Sequence, residues 1–326
     1  DTILDAVMDR GGVCVLKSEM WSGRTTLTHE DLGLEASDVN RRVVSLGHKK
    51  LARPQDMSSF QNPIASARQA LLRNSREFLG MRFVPNARIS VLDGAFSDYK
   101  AKFDEAVDLF ISNDYPNLAD RLLPEWVEMA RSAASRTGTS QQDALDNLLE
   151  RVRSFYPMQA DMRRRFSFSW SWISIRAPSE VRTAGLSVEA AASRIEADRE
   201  RRDALLEEAR SFARDCTSAA REELSQVLMR VTDAGQTGER TRVSICFEIE
   251  RILRLNFLDD EELVRLGNEA KEVLRSGQSN GDLRSSLEEV RGRIEMSIES
   301  AQQEVIDRLV RHTRSAVLHN GDEDAA

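Results

Sequence analysis

The residues able to carry chemistry are few and poorly grouped. Four histidines stand at 29, 48, 312 and 319, and three cysteines at 14, 216 and 246. No histidine has a cysteine beside it. His312 and His319 share a helical face but lie seven residues, or about 10 Å, apart, too far for one ion. Histidines on a surface or in a helix seam are expected, and no metal site. An odd number of cysteines without a C-x-x-C does not form a secreted disulfide framework, so free thiols in a reducing cytoplasm are expected. The run Gly23-Arg24-Thr25-Thr26 ends like a phosphate-binding loop, yet Ser18 stands where the upstream glycine is required and Arg24 replaces the lysine. The Gly235 to Gly238 segment also lacks a lysine and reads as a helix connector. No G-x-S-x-G elbow occurs. The many acidic pairs at helical spacing read as solvated faces, not catalytic carboxylates. No catalytic, cofactor-binding or metal-binding residue is therefore assigned.

Two basic constellations remain. Arg163, Arg164 and Arg165 lead into Phe166, Phe168, Trp170 and Trp172, which alternate with serines, so a strand would place all four rings on one face. Cations beside stackable rings suit a single-stranded nucleic acid. The same pattern suits a strand whose aromatic face is core and whose arginines sit at its mouth, and this second reading is preferred. His48, Lys49 and Lys50 form the other cluster, next to Gly47.

These groups need a scaffold, and composition bounds it. The chain has 326 residues, 54 acidic and 46 basic side chains, a formal charge of -8 and 40% hydrophobic content. A wholly basic nucleic-acid binder and a disordered chain are both excluded. No apolar run approaches the roughly 18 to 20 residues that span a bilayer, and no charged-then-apolar leader is present. The chain starts at Asp1 and not at a methionine, so a short start is expected to be missing.

Residues 1–176 carry 24 basic and 23 acidic side chains, which leaves 22 and 31 for the remainder, net charges of +1 and -9. All seven prolines lie at or before Pro178, and all tryptophans and tyrosines lie before Arg176. Proline costs about 3 kcal/mol inside a helix, so the proline-free, charge-rich second half reads as long helices. A boundary is placed at 176–186, with Ser187 capping a new helix. In the first half, Gly12 to Trp21 and the Phe166 to Trp172 comb read as strands, which pair to close an α+β head. Helical runs lie at about 55–79, 88–113, 118–135 and 140–155, with Leu71, Leu72, Phe78 and Leu79 on one stripe and Phe96, Phe103, Val107 and Phe110 on another.

A helix over about 187–234 would be roughly 70 Å long. Its stripe runs through Leu206, Ala209, Ala213, Cys216, Ala220, Leu224, Val227 and Val231, while Glu196 to Arg202 is polar all round and should be solvated. Val243, Phe247, Ile249, Ile252, Leu253 and Leu255 mark a shorter helix, and Asp259 caps another that runs to about Arg275. From Gly281 to Leu318, apolar residues recur every eleven positions: Leu283, Ile294, Val305 and Ala316; Leu287, Ile298 and Leu309; Val290, Ala301 and His312. Eleven residues in three turns implies a nearly straight packing. Its natural partner is the alanine-rich stripe of 206–231, run antiparallel, or the same helix of a second copy. The closing 321–326 reads as an acidic tail.

The first half resembles the bacterial domain of unknown function 3150 family. The matching residues are Trp21 to Arg24 with Leu27, Asp31 to Gly33, Ser45 to Leu51 followed by Pro54, Phe83 to Pro85, the Phe103 to Tyr115 helix and the Arg165 to Phe168 strand. Together they cover about residues 11–176. The resemblance implies a protein of phages and integrating mobile elements, often encoded near a MoxR-like AAA+ ATPase and a von Willebrand factor A protein. It carries over no catalytic residue.

The expected architecture is mainly α: a small α+β head over 1–178, a long antiparallel, coiled-coil-like helical stalk over 179–320 and a tail over 321–326. The expected role is a non-enzymatic cytoplasmic adaptor without a cofactor. It would dock on an AAA+ partner through Trp21, Arg24, His48, Lys49 and Lys50, and its stalk would self-associate or present a substrate. The alternative is single-stranded nucleic-acid binding through Arg163, Arg164 and Arg165.

Overall fold

The computed structural model describes residues 2–28, 47–137, 148–176, 187–234, 238–276, 279–298 and 300–309, together with positions 140, 142 and 145. Residues 177–186 of the boundary expected at 176–186, residues 235–237 of the connector expected at 235–238, Asp31 to Gly33, Ser45, three of the four histidines, Ala316 and the acidic tail lie outside these residues. The chain is mainly helical with a small sheet. Its helices are α1 (Thr2–Met8), α2 (Pro54–Arg73), α3 (Asn86–Leu109), α4 (Leu118–Thr137), α5 (Leu148–Ser154), α6 (Gln159–Met162), α7 (Val188–Asp233), α8 (Glu239–Arg254), α9 (Glu261–Arg275) and α10 (Asn280–Met296). The strands are β1 (Gly11–Glu19), β2 (Arg24–Thr26), β3 (His48–Lys50), β4 (Arg76–Phe78), β5 (Met81–Pro85) and β6 (Ser167–Ile173).

The four-stranded sheet runs β4-β5-β1-β6, so the two strands expected from the ends of the first half are neighbours. Between β1 and the outer edge lies a hairpin that the residue pattern conceals. Phe78 and Leu79 were expected on the stripe of a helix over 55–79, but α2 ends at Arg73, and Phe78 pairs with Met81 across a two-residue turn. Leu79 and Gly80 both have positive φ (52° and 71°), as a tight hairpin matched to strand twist requires. At Gly11, opposite Pro85, a Cβ would lie 2.4 Å from the Phe83 ring, so only glycine fits.

By packing, residues 1–15, 71–93 and 171–326 form one compact unit and residues 16–70 and 94–170 another. Both draw on separated stretches of the chain, unlike a division at 178. In the first unit, α7 is the spine. Ser187 caps it by accepting a hydrogen bond from the Ala190 amide. Its residues before Ala209 are not buried, in keeping with the polar run at 196–202. From there, Ala209, Phe212 and Ala213 pack with Ile3, Leu4, Val7, Phe83, Phe257, Val305 and Leu309. Further along, Leu224, Val227, Leu228 and Val231 pack with Ile249 and Ile252 of α8, Leu263 and Leu266 of α9, and Leu283, Leu287, Val290 and Ile294 of α10. The stripe of α10 therefore finds its partner inside the chain. Contacts between Arg221 and Ser297, and between Ser225 and Glu295, set α7 and α10 antiparallel.

The shorter helix expected around Val243 to Leu255 is present as α8, and one expectation for the last helix is corrected. Val243 and Phe247 lie on the solvent side of α8, 50% and 68% exposed, because Ile245, Cys246, Ile249 and Ile252 form its buried face. The eleven-residue helix is not continuous: α10 ends at Met296, Ser297 is a turn, and Ile298 beyond it is only half-buried.

In the second unit, α2, α3 and the start of β6 meet in a cluster of rings. Phe60, Phe110 and Phe166 meet edge to face at 5.1–6.2 Å, and Phe103 meets Phe168 at 5.9 Å. The stripe Phe96, Phe103, Val107 and Phe110 is fully buried, as its spacing predicts.

All three cysteines are free and buried. Burial, with the Asp93 charge adding, pushes the Cys14 thiol up to about 11, and burial pushes Cys216 up to about 12. Since the thiolate is the reactive form, both thiols are inert near neutrality. Ellman's reagent at pH 8 should leave Cys14 and Cys216 unmodified in the native protein and titrate three thiols in guanidinium chloride. Rapid native modification of either would show that the core is open.

Candidate functional site

The residues expected at a docking surface come together on a short ribbon in the second unit. β2 and β3 pair antiparallel, with Arg24 opposite Lys50, Thr25 opposite Lys49 and Thr26 opposite His48. Backbone bonds from Leu27 to Gly47 (3.1 Å) and from Leu51 to Gly23 (2.7 Å) close its two ends. Gly23 has φ +63°, and a Cβ there would meet Met57 Sδ at 2.8 Å, so the turn into β2 depends on it.

Alternation then sorts the five expected residues into two roles. Arg24, His48 and Lys50 are exposed on one face. Lys49 points the other way, only 7% exposed, with Nζ 3.6 Å from the centroid of the Phe155 ring, a cation–π contact. Trp21, 4% exposed, packs edge-on against Tyr115 at 5.5 Å and near Phe110 and Tyr156. Trp21 and Lys49 are thus corrected from docking residues to the footing of the ribbon. Around them, Tyr115 donates from its hydroxyl to the Pro157 carbonyl at 2.5 Å and Tyr156 to the Leu51 carbonyl at 2.9 Å. Burial pushes Tyr115 up to about 12 and Tyr156 higher still, so both phenols stay neutral and keep these bonds.

On the exposed face, Arg24 stands directly across from Lys50. Like charges in that relation are destabilising. Among the described residues, neither they nor His48 has an ion-pair partner. By contrast Arg53 pairs with Glu125, Arg121 with Asp56 and Arg153 with Asp120 in the same unit.

The second basic constellation is dispersed. Arg163, Arg164 and Arg165 form a short 3-10 turn. Arg163 is tied to Asp104 at 2.8 Å and Asp108 at 3.2 Å, Arg164 lies 3.7 Å from Asp161, and Arg165 is exposed. The comb that follows faces inward: Phe166 and Phe168 are buried, Trp170 packs on Phe96, and Trp172 Nε1 donates to Asp93 at 2.9 Å. Phe166 and Phe168, the rings next to the arginines, are core, and Trp170 and Trp172 are half-buried.

Two further features escape residue spacing. Val243, Cys246, Phe247 and Leu274 line a groove of about 490 Å³ together with Glu239, Arg242, Glu250 and Arg275. In the same unit, Arg76 of β4 pairs with Glu223 of α7, which Arg251 of α8 also reaches at 3.2 Å, and no local motif announces this network. Among the described residues no group of histidine, cysteine and carboxylate side chains is placed to hold a metal.

The described residues form a mainly helical fold around a small sheet, with no helix among them long and apolar enough to cross a membrane. The model of the family described as "Protein of unknown function (DUF3150)" matches residues 8–232, well over half of the sequence, and the chain belongs to that family. The match takes in the ribbon, the sheet and almost all of α7, and stops before α8. No curated protein and no solved structure matches the chain.

Proposed function

We propose that this protein is a non-enzymatic, cytoplasmic adaptor of a phage or mobile genetic element that docks on an acidic surface of a protein partner through Arg24, His48 and Lys50. One observation carries the reading: an exposed ribbon, fixed from beneath by Trp21 and Lys49, sets two like charges side by side with no carboxylate among the described residues to neutralise them. An acidic partner would remove that repulsion and read the ribbon's register. The partner class is the MoxR-like AAA+ ATPase, with a von Willebrand factor A protein, that the family resemblance implies. In this reading the antiparallel α7 and α10 act as a coiled-coil-like stalk that self-associates or presents a substrate. The nucleic-acid alternative is less favoured because Phe166 and Phe168, the rings next to the arginines, are core.

The test is co-purification of the full chain with the AAA+ protein encoded beside it, comparing wild type with the paired change Arg24→Glu and Lys50→Glu. Binding should weaken by more than about tenfold and fall steeply with salt, while the melting temperature stays put, since the positions are exposed. Undiminished binding by the variant would refute the ribbon as the docking face. Salt-dependent retention of single-stranded DNA by the wild type, lost on changing Arg164 and Arg165 to Glu but kept by the ribbon pair, would favour the alternative.

A further inference from the structure

Helix α8 turns a patterned face to solvent. Arg240, Val243, Phe247, Glu250 and Arg254 follow one another at spacings of three and four, so they form one stripe about 21 Å long. Its middle is apolar and uncovered, with Val243 50% and Phe247 68% exposed. Both line the groove of about 490 Å³ between α8 and α9, together with Cys246 and with Leu274 of α9. A lone exposed apolar side chain is ordinary, but two that stand a turn apart and open into a groove mark a contact surface.

The charges select what fits there. At the N-terminal end of the stripe, Arg240 and Arg242 stand with one carboxylate, Glu239. At the other end, Glu250 is shared by Arg254 at 3.6 Å and by Lys271 and Arg275 at 3.7 Å each. Those distances are beyond hydrogen-bond reach, so no cation is held closely, and three cations against one carboxylate leave two charges in excess. The stripe is therefore cationic at both ends and apolar between them. A second copy of the chain fits it poorly. Set parallel, two stripes bring Arg240 to Arg240 and Arg254 to Arg254; set antiparallel about Phe247, they bring Arg240 to Arg254, so like charges meet either way. A helix with acidic residues about one turn beyond each side of an apolar pair meets no such penalty. Its shape matches as well, because the stripe runs for about four turns, and a helix laid in a groove is held through apolar anchors at spacings of three and four.

We propose that the groove between α8 and α9 is the docking site for an acidic amphipathic helix of another protein. Val243 and Phe247 supply the apolar contact, and Arg240 and Arg254 meet carboxylates at the two ends of the incoming helix. Aromatic and arginine side chains are the ones that most often dominate the energy of an interface. The site lies beyond residue 232, where the family match stops, and in a different unit from the ribbon, so it stands apart from the docking reading.

A display selection on the full chain tests the proposal, with a library of alanine-based helical peptides of about 18 residues randomised on one face. The enriched sequences should carry two apolar residues three or four apart, with Asp or Glu about one turn outside them at both ends. By fluorescence anisotropy the enriched peptide should bind with Kd below about 100 μM. Phe247→Glu should weaken it about tenfold or more, and so should Arg240→Glu combined with Arg254→Glu. Changing the peptide's acids to lysine should restore binding to that double variant and to no other. All three positions are exposed, so the melting temperature should not move. The Arg24→Glu, Lys50→Glu pair should bind the peptide as wild type does; loss there would place it on the ribbon and overturn the groove. Failure of the library to enrich, enrichment of basic or uncharged sequences, or self-association of the chain that Phe247→Glu abolishes in light scattering would overturn it as well.

Discussion

Replacing Asp260 with alanine is expected to cost about 3–5 kcal/mol of stability, the usual penalty for stranding one member of a buried ion pair. Arg221, on α7, is 2% exposed and is held by Asp260 through two bonds, Nε to Oδ2 at 2.9 Å and Nη2 to Oδ1 at 2.7 Å. Asp260 also caps α9 by accepting from the Leu263 amide at 3.0 Å. The third arm of Arg221, Nη1, donates to the carbonyl of Ser297, where α10 stops. One arginine thus ties α7 to the start of α9 and the end of α10. The alanine variant loses the cap and leaves the guanidinium buried with only Ser297 to satisfy it. Removing both charges while keeping the cap, with Arg221→Met and Asp260→Asn together, should recover much of the loss, because a buried pair is weakly stabilising relative to neutral side chains. The neighbouring Asp259 is a control. Its side chain is 66% exposed and pairs with Arg10, so Asp259→Asn, which keeps a residue that tolerates φ +54°, should shift stability by at most about 1 kcal/mol. Urea unfolding followed by circular dichroism measures all three. A loss under about 1 kcal/mol for Asp260→Ala would mean that water reaches Arg221 and the pair is not buried.

That network shows where residue patterns stop being informative. Helix α7 is legible because its signals are local: no proline after Pro178, a serine cap at 187, and a stripe of small residues at spacings of three and four. The same stripe hides Arg221, Thr217 and Ser225, which are buried beside it. In a helix so rich in charge, Arg221 looks like one more solvated side chain, since the partner that permits its burial is 39 residues away. The β4–β5 hairpin is concealed for a related reason. Phe78 and Leu79 extend the spacing of Leu71 and Leu72, and a leucine at positive φ is no turn signal. The ribbon was half legible: Arg24, His48 and Lys50 stood out by charge, but only the register of three-residue strands shows that they share a face and that Trp21 and Lys49 lie behind it. The Arg76–Glu223–Arg251 network is not legible at all, because its members come from β4, α7 and α8.

Ile294→Asp should be the other large loss, on the order of 4–5 kcal/mol at pH 8, combining a deleted buried aliphatic side chain with a buried, unpaired carboxylate. Ile294 is fully buried among Leu224, Leu228, Ile249 and Leu263, so the new charge has no water to face. Ser285→Asp, on the exposed side of α10, adds the same charge and should stay within about 0.5 kcal/mol of wild type. Ile298→Asp should fall between them. Although Ile298 continues the eleven-residue pattern, the break at Ser297 leaves it half-buried and open to solvent. Burial would raise the new carboxyl's folded pKa above its unfolded value. The native state then binds more protons than the unfolded one between the two values, so the Ile294→Asp deficit grows as pH rises through that window and shrinks as it falls. Melting curves at pH 5 and pH 8 should show the smaller deficit at pH 5. Because the stripe of α10 packs on α7, α8 and α9 of the same chain, the variant should loosen the helices without dissociating any oligomer that wild type forms, as light scattering would register. Equal tolerance of Ile294→Asp and Ser285→Asp would mean that the buried face of α10 has been misplaced, and with it the packing that Arg221 locks.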